Sequence, residues 1–109
     1  MAFVKVAIVS DVPEGTKKKF EVGGTTILIV NYEGNYYAMS NKCPHMGGSL
    51  ADGNLEGKFI VCPKHGSKFD VINGKNVGNA KLGFIKINVK DGVSYTLKVE
   101  GEDIFIDIW

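Results

Sequence analysis

The chain has 109 residues, of which 44% are hydrophobic and 23% are charged, and its formal net charge at pH 7 is +1. This length predicts one domain over residues 1–109, large enough to bury a core without disulfides. The balanced charge gives no sign of nucleic acid or an anionic membrane as a partner. No apolar run approaches the roughly 18–20 residues of a membrane-spanning helix, so we expect a soluble, cytoplasmic protein.

The hydrophobic pattern predicts β-strands along most of the chain. Apolar side chains alternate with other residues over 4–8, and a longer β-branched stretch over 25–32 is typical of a central strand. Further alternation covers 85–89, 93–99 and 104–108, and glycine-rich turn signals separate these runs. No helix longer than one turn is expected. The pattern predicts an all-β fold, a small sandwich or barrel.

The middle of the chain differs from this framework. From about residue 40 to residue 70 the glycine and proline content rises and the alternation weakens. We interpret this stretch as a loop-rich subdomain inserted into the β framework. Gly47, Gly48 and Gly66 each lie within three residues of a histidine, and we expect them to permit close approach of the backbone to a cofactor.

Every cysteine and histidine of the chain lies in two short loops, Cys43-Pro44-His45 and Cys62-Pro63-Lys64-His65. One residue separates the first pair, sixteen separate His45 from Cys62, and two separate the second pair. Each loop therefore offers one thiolate and one imidazole at close range. This supply suits an iron–sulfur cluster in which two cysteines hold one iron and two histidines the other.

Mixed ligation has an electrostatic consequence for such a cluster. Replacing two thiolates by neutral imidazoles removes two negative charges, so two cysteines alone neutralise an oxidised 2Fe–2S core of charge 2+. Reduction then leaves one negative charge and should be easier than in a four-cysteine ferredoxin. Potentials of about −150 to +300 mV are typical of this ligation, against about −400 mV for plant-type ferredoxins.

The segments Cys-Pro-His-Met-Gly-Gly and Cys-Pro-Lys-His-Gly-Ser-Lys-Phe-Asp resemble the two cluster loops of Rieske proteins. The resemblance implies one 2Fe–2S cluster per chain, with Cys43 and Cys62 on one iron and His45 and His65 on the other. It also implies a two-sheet β framework that carries a small cluster-binding subdomain at about residues 40–70. Length and strand pattern resemble a stand-alone Rieske-type ferredoxin.

Four positions near the ligands refine this resemblance. Rieske subunits of cytochrome bc complexes carry an extra cysteine in each loop, joined as a disulfide, where this chain has Gly48 and Lys64. Ser67 matches a family hydroxyl that donates to a cluster sulfide, although a serine there could also be a simple turn former. Phe69 stands where high-potential members have tyrosine. We therefore expect a potential in the low to middle part of the class.

The expected function is that of an electron carrier and not of an enzyme. A Rieske oxygenase needs a second, mononuclear iron held by two histidines and a carboxylate, and both histidines here are already used. The resemblance implies a soluble one-electron carrier between two redox proteins, a reductase and a terminal oxygenase or other acceptor. No small-molecule substrate is expected on this chain.

Two other interpretations stay open at the level of sequence. The chain could be the small Rieske subunit of a multi-component reductase such as nitrite reductase. Two cysteines and two histidines are also a zinc set, as in a zinc-stabilised interaction module, although zinc sites usually pair cysteines as C-x2–4-C. Lys42, Lys64 and Lys68 could form a basic rim that docks an acidic partner, but a solvated surface explains them as well.

Overall fold

Short β-strands account for most of the part of the chain that the computed structural model describes, residues 3–44, 48–63, 66–78, 80–82, 85–87 and 91–108. The two helices among these residues are 3-10 turns, Val9–Asp11 and Leu50–Asp52. No helix in this part of the chain is long and apolar enough to cross a membrane. The strands are β1 Phe3–Ile8, β2 Lys17–Val22, β3 Thr25–Tyr32, β4 Asn35–Ser40, β5 Asn54–Glu56, β6 Phe59–Val61, β7 Lys68–Asp70, β8 Asn76–Gly78, β9 Ala80–Leu82, β10 Ile85–Ile87, β11 Ser94–Tyr95, β12 Leu97–Glu100 and β13 Asp103–Asp107.

Three antiparallel sheets organise these strands. The central sheet has the order β11-β4-β3-β2, and an outer sheet has the order β1-β13-β12. A third sheet, β5-β6-β7-β8, begins in the glycine-rich middle of the chain and continues past it to Gly78, and β9 and β10 pair separately. The central and outer sheets form the expected two-sheet framework, so the all-β prediction is confirmed.

Strand β3 is buried on both faces, because it lies inside the central sheet between two hydrophobic cores. Ile27 and Ile29 point into the core shared with the outer sheet, while Leu28 and Val30 point into the core shared with the third sheet. Successive side chains of a strand face opposite ways, so a strand with two buried faces needs an unbroken apolar run. The sequence of β3 has this run and forms the central strand that it predicts.

The two cores are defined by their buried residues. The framework core contains Ala7, Val12, Val22, Ile27, Ile29, Ala38, Ile104 and Ile106. The ligand core contains Leu28, Val30, Met39, Cys43, Leu50, Ile60, Cys62, Phe69 and Val71. Both cysteines are therefore part of the ligand core, on the side of the central sheet that faces the third sheet.

In two segments, 4–8 and 93–99, the alternation of apolar residues in the sequence does not match the side chains that are buried in the structure. A bulge in β1 moves the pairing from Lys5 opposite Phe105 to Ala7 opposite Ile104. Ala7 is therefore buried, while Val4 and Ile8 are each 37% exposed. The pattern over 93–99 is shared between β11 in the central sheet and β12 in the outer sheet. A bulge and a crossing between sheets both change which face a side chain meets.

Gly53 joins the 3-10 turn Leu50–Asp52 to the third sheet at a point of very close packing. A Cβ atom at this position would lie 1.8 Å from the backbone oxygen of Val61. The φ of Gly53 is −84°, which any residue adopts, so only the lack of space requires glycine. Since Val61 directly precedes Cys62, this contact sets the chain that follows the first ligand loop against the start of the second.

We predict that Gly53→Ala lowers the free energy of unfolding by about 2–3 kcal/mol, because backbone must move to admit the methyl group. Urea unfolding monitored by circular dichroism measures the loss. Gly57→Ala is the control, since a Cβ there meets nothing within 4 Å and only its φ of +60° is strained, at a cost of about 1 kcal/mol. Equal losses in the two variants would contradict the close-packing explanation.

Candidate metal centre

The second ligand loop is the tip of a hairpin between β6 and β7. Val61 pairs with Lys68, and one step further the N–H of Cys62 donates to the oxygen of Ser67 at 2.7 Å. The N–H of Gly66 in turn donates to the oxygen of Cys62 at 3.1 Å. Gly66 has a φ of +77°, so the turn itself requires glycine at this position.

The first ligand loop has the same closure. The N–H of Cys43 donates to the oxygen of Gly48 at 2.7 Å, and Lys42 forms an isolated β-bridge with Ser49. In each loop the cysteine therefore occupies the last paired position and bonds to the residue five places later. We call the segments 42–49 and 61–68 the first and second ligand hairpins.

Both cysteine side chains are buried in apolar surroundings. Cys43 is 0% and Cys62 is 1% exposed, and their neighbours in the ligand core are aliphatic or aromatic. Burial of a thiolate in such surroundings is unfavourable unless a positive charge compensates it. A metal centre between the two hairpins would supply that charge, and thiolates are suitable ligands for iron.

Ser67 provides the observation that tests whether an iron–sulfur cluster fits. Its side chain is 0% exposed, and its Oγ has no hydrogen-bond partner within the described part of the chain. Buried hydroxyl groups are nearly always paired, so this donor lacks an acceptor that the described chain could provide. A sulfide of a bound cluster is such an acceptor, and the residues present fit the group.

The structure describes some of the predicted site residues and brings them together in one core. Cys43 and Cys62 come together in the ligand core, Phe69 is fully buried in the same core, and Gly48 is buried and accepts the closing bond. Among the described residues no three Cys, His, Asp or Glu side chains are placed to hold a metal ion. Four positions named by the sequence analysis lie outside the described residues: His45, Gly47, Lys64 and His65.

Charged side chains near the hairpins are mostly at the surface. Lys42 is exposed beside Cys43, whereas the ammonium group of Lys68 lies 3.2 Å from a carboxylate oxygen of Glu56. An exposed ion pair of this kind contributes little to stability, but it offsets the charge of Lys68. Of the three lysines suggested as a basic rim, Lys42 is exposed, Lys68 is paired, and Lys64 lies outside the described residues.

Asn41 directly precedes the first ligand hairpin and is a residue of the site that the ligand motifs do not indicate. Its side chain is buried and bonds to the far arm of that hairpin through Ser49 and to Ala51. Only its residue type could have indicated this role, because asparagine often bonds to nearby backbone where regular strand pairing stops. Spacing of metal ligands carries no information about such a residue.

Comparison with known proteins identifies one family and relatives that belong to it. Residues 2–87 match the family described as Rieske [2Fe-2S] domain. The ferredoxin component of the naphthalene 1,2-dioxygenase system of Pseudomonas aeruginosa is 35% identical over 98 residues, which are 90% of this chain and 88% of the relative.

Solved structures agree with this result. The ferredoxin of carbazole 1,9a-dioxygenase from Nocardioides aromaticivorans superimposes with a TM-score of 0.81 at 28% identity, covering 97% of each chain. A complex of reduced oxygenase and oxidised ferredoxin in carbazole 1,9a-dioxygenase contains a chain with a TM-score of 0.76 at 25% identity, covering 95% of this chain and 91% of that one.

We predict that Ser67→Ala lowers the midpoint potential of the cluster by roughly 60 mV, the one-electron equivalent of one charge-stabilising hydrogen bond. The backbone bond between Cys62 and Ser67 is retained in this variant. Protein-film voltammetry measures the shift. Ser10→Ala, in the exposed turn Val9–Asp11, is the control and should leave the potential unchanged. An unchanged potential in Ser67→Ala would show that the serine only shapes the turn.

Proposed function

Because the chain belongs to the Rieske [2Fe-2S] domain family, we propose that Cys43 and Cys62 bind one iron of its cluster and that His45 and His65 bind the other. The observation that carries this assignment is the matched closure of the two hairpins, which buries both cysteines in one core. The unpartnered Oγ of Ser67 supports it independently. Phe69 and Gly48 then pack and close the site, while Lys64 belongs to its second loop.

We infer that the chain carries single electrons from a reductase to a terminal oxygenase. The cluster supplies the one-electron chemistry, and the protein's own residues hold it and exclude water from the cysteine side. The relatives named as ferredoxin components of dioxygenase systems support this role. The complex of ferredoxin with oxygenase in carbazole 1,9a-dioxygenase supports the choice of acceptor.

The same comparisons favour a carrier over an enzyme. The relatives are ferredoxin components, and the four assigned ligands use every cysteine and histidine of the chain. No histidine is therefore left for a mononuclear iron site. We propose one domain over residues 1–109, a cluster-binding subdomain at about residues 40–70, and a cytoplasmic location.

Electron transfer to an oxygenase is the direct test of this role. The reduced protein is mixed anaerobically in a stopped-flow instrument with the oxygenase component of the naphthalene 1,2-dioxygenase system, and the visible absorption of the cluster is followed. We expect one electron per chain to leave, and no oxidised product from naphthalene when the oxygenase is omitted. A chain that takes up no electron reversibly, or that oxidises naphthalene alone, contradicts the carrier role.

The two alternatives have separate tests. A zinc-stabilised module would be colourless and would lack iron and acid-labile sulfide, whereas we expect two of each per chain. A small subunit of a multi-component reductase would co-purify with its large partner from the native source. We expect the protein to purify without one.

We predict that Phe69→Tyr raises the midpoint potential by roughly 60 mV, because the added hydroxyl can donate to a ligand cysteine sulfur in the same core. Phe59→Tyr, on the neighbouring strand β6 and only half-buried, is the matched control and should not change the potential. Voltammetry gives both values, and thermal unfolding checks that each variant is folded. A folded Phe69→Tyr protein with an unchanged potential would contradict the prediction.

A further inference from the structure

The two ligand hairpins close alike but are supported differently. Beyond Cys62 and Ser67 the second hairpin continues as a regular ladder between β6 and β7, with three residue pairs down to Phe59 and Asp70. Beyond the bridge of Lys42 with Ser49 the first hairpin has no such ladder among the described residues. Its far arm enters the 3-10 turn Leu50–Asp52 instead.

Asn41 occupies the point where this ladder is missing. Its Oδ1 accepts from the N–H of Ala51 at 2.8 Å, and its Nδ2 donates to Oγ of Ser49 at 2.8 Å. Its backbone oxygen accepts from the N–H of Leu50 at 2.8 Å, and its N–H donates to the oxygen of Thr26 in the central sheet at 3.0 Å. One residue thus ties three consecutive positions of the far arm to β3.

The burial of Asn41 increases the contribution of these bonds to the stability of the hairpin. The residue is 6% exposed, so its amide group does not exchange them freely for bonds to water. Both side-chain bonds are part-buried, so loss of Asn41 leaves the N–H of Ala51 and the hydroxyl of Ser49 with limited access to water as a replacement partner. The side chain is therefore a fixed brace between the two arms and not a surface contact.

Asn31, in β3 of the central sheet, offers a natural comparison with Asn41, which directly follows β4. It is 4% exposed, its Nδ2 donates to the oxygen of Val12 at 3.0 Å, and its Oδ1 accepts from the N–H of Gly34 at 3.0 Å. Residue type, burial and number of side-chain bonds match those of Asn41. One of its bonds lies at the β3–β4 turn and the other reaches the backbone oxygen of Val12, so neither lies in a ligand hairpin.

We propose that Asn41 is a positioning residue for the cluster: its side chain replaces the missing strand ladder and holds the first ligand hairpin in the geometry that binds iron. The proposal rests on the assignment of the cluster to the two hairpins. It adds that the hairpin carrying Cys43 depends on one side chain outside the ligand motif, whereas the hairpin carrying Cys62 depends on strand pairing.

The test compares Asn41→Ala with Asn31→Ala in the cluster-loaded protein. Release of iron to a ferrous chelator should be on the order of tenfold faster in Asn41→Ala, which loses both side-chain bonds of the brace, and within about twofold of the wild type in Asn31→Ala. The reduced-state EPR signal should shift or broaden only in Asn41→Ala. Both variants should lose similar thermal stability, so stability alone cannot account for a difference.

Two further variants keep the test decisive. Asn41→Asp retains the acceptor for Ala51, and the hydroxyl of Ser49 can donate to it, so release should return to within about threefold of the wild-type rate. Should Asn41→Ala fail to fold, Ser49→Ala removes only one bond of the brace and should still release iron about threefold faster than the wild type.

Several results would overturn the proposal. These are equal release rates and EPR signals for Asn41→Ala and Asn31→Ala, no recovery in Asn41→Asp, or a Ser49→Ala protein that behaves as the wild type. A wild-type protein that binds no iron and sulfide overturns the proposed function instead. The two kinds of failure are therefore distinguishable.

Discussion

Two cysteines buried in an apolar core are the constraint on which the rest of this structure depends. Thiolate charge is unfavourable there unless a cation compensates it, and the surrounding ligand core consists of apolar side chains. A cluster core of charge 2+ meets that requirement with two thiolates and leaves room for neutral ligands. The orphan hydroxyl of Ser67 fits the same conclusion, since it needs an acceptor from outside the described chain.

The fold meets this constraint by dividing its hydrophobic residues between two cores. Strand β3 separates them, with Ile27 and Ile29 on the framework side and Leu28 and Val30 on the ligand side. The framework core with the outer sheet gives a support that does not involve the ligands. The third sheet and the two hairpins then cover the other face, where Gly53 allows the chain that follows the first hairpin to pack closely against the start of the second.

The sequence predicts the parts of this arrangement that depend on residue type and local periodicity. Four ligands in two loops define the candidate site because no other cysteine or histidine exists, and the apolar run of β3 defines the central strand. Strand β2 begins with three lysines, and the bulge in β1 reverses the inward face at Ala7. These features, like the brace at Asn41, depend on which strands become neighbours, and a one-dimensional pattern does not contain that information.

The central claim is that two cysteines and two histidines share one cluster, and nitrogen hyperfine spectroscopy tests it most directly. The protein is expressed with ¹⁵N-labelled histidine, reduced, and measured by pulsed EPR. We expect a reduced 2Fe–2S signal with strong hyperfine couplings from two directly ligating nitrogens, one from each of the two histidines. A 2Fe–2S signal without histidine coupling, or a protein that holds zinc and gives no signal, would contradict it.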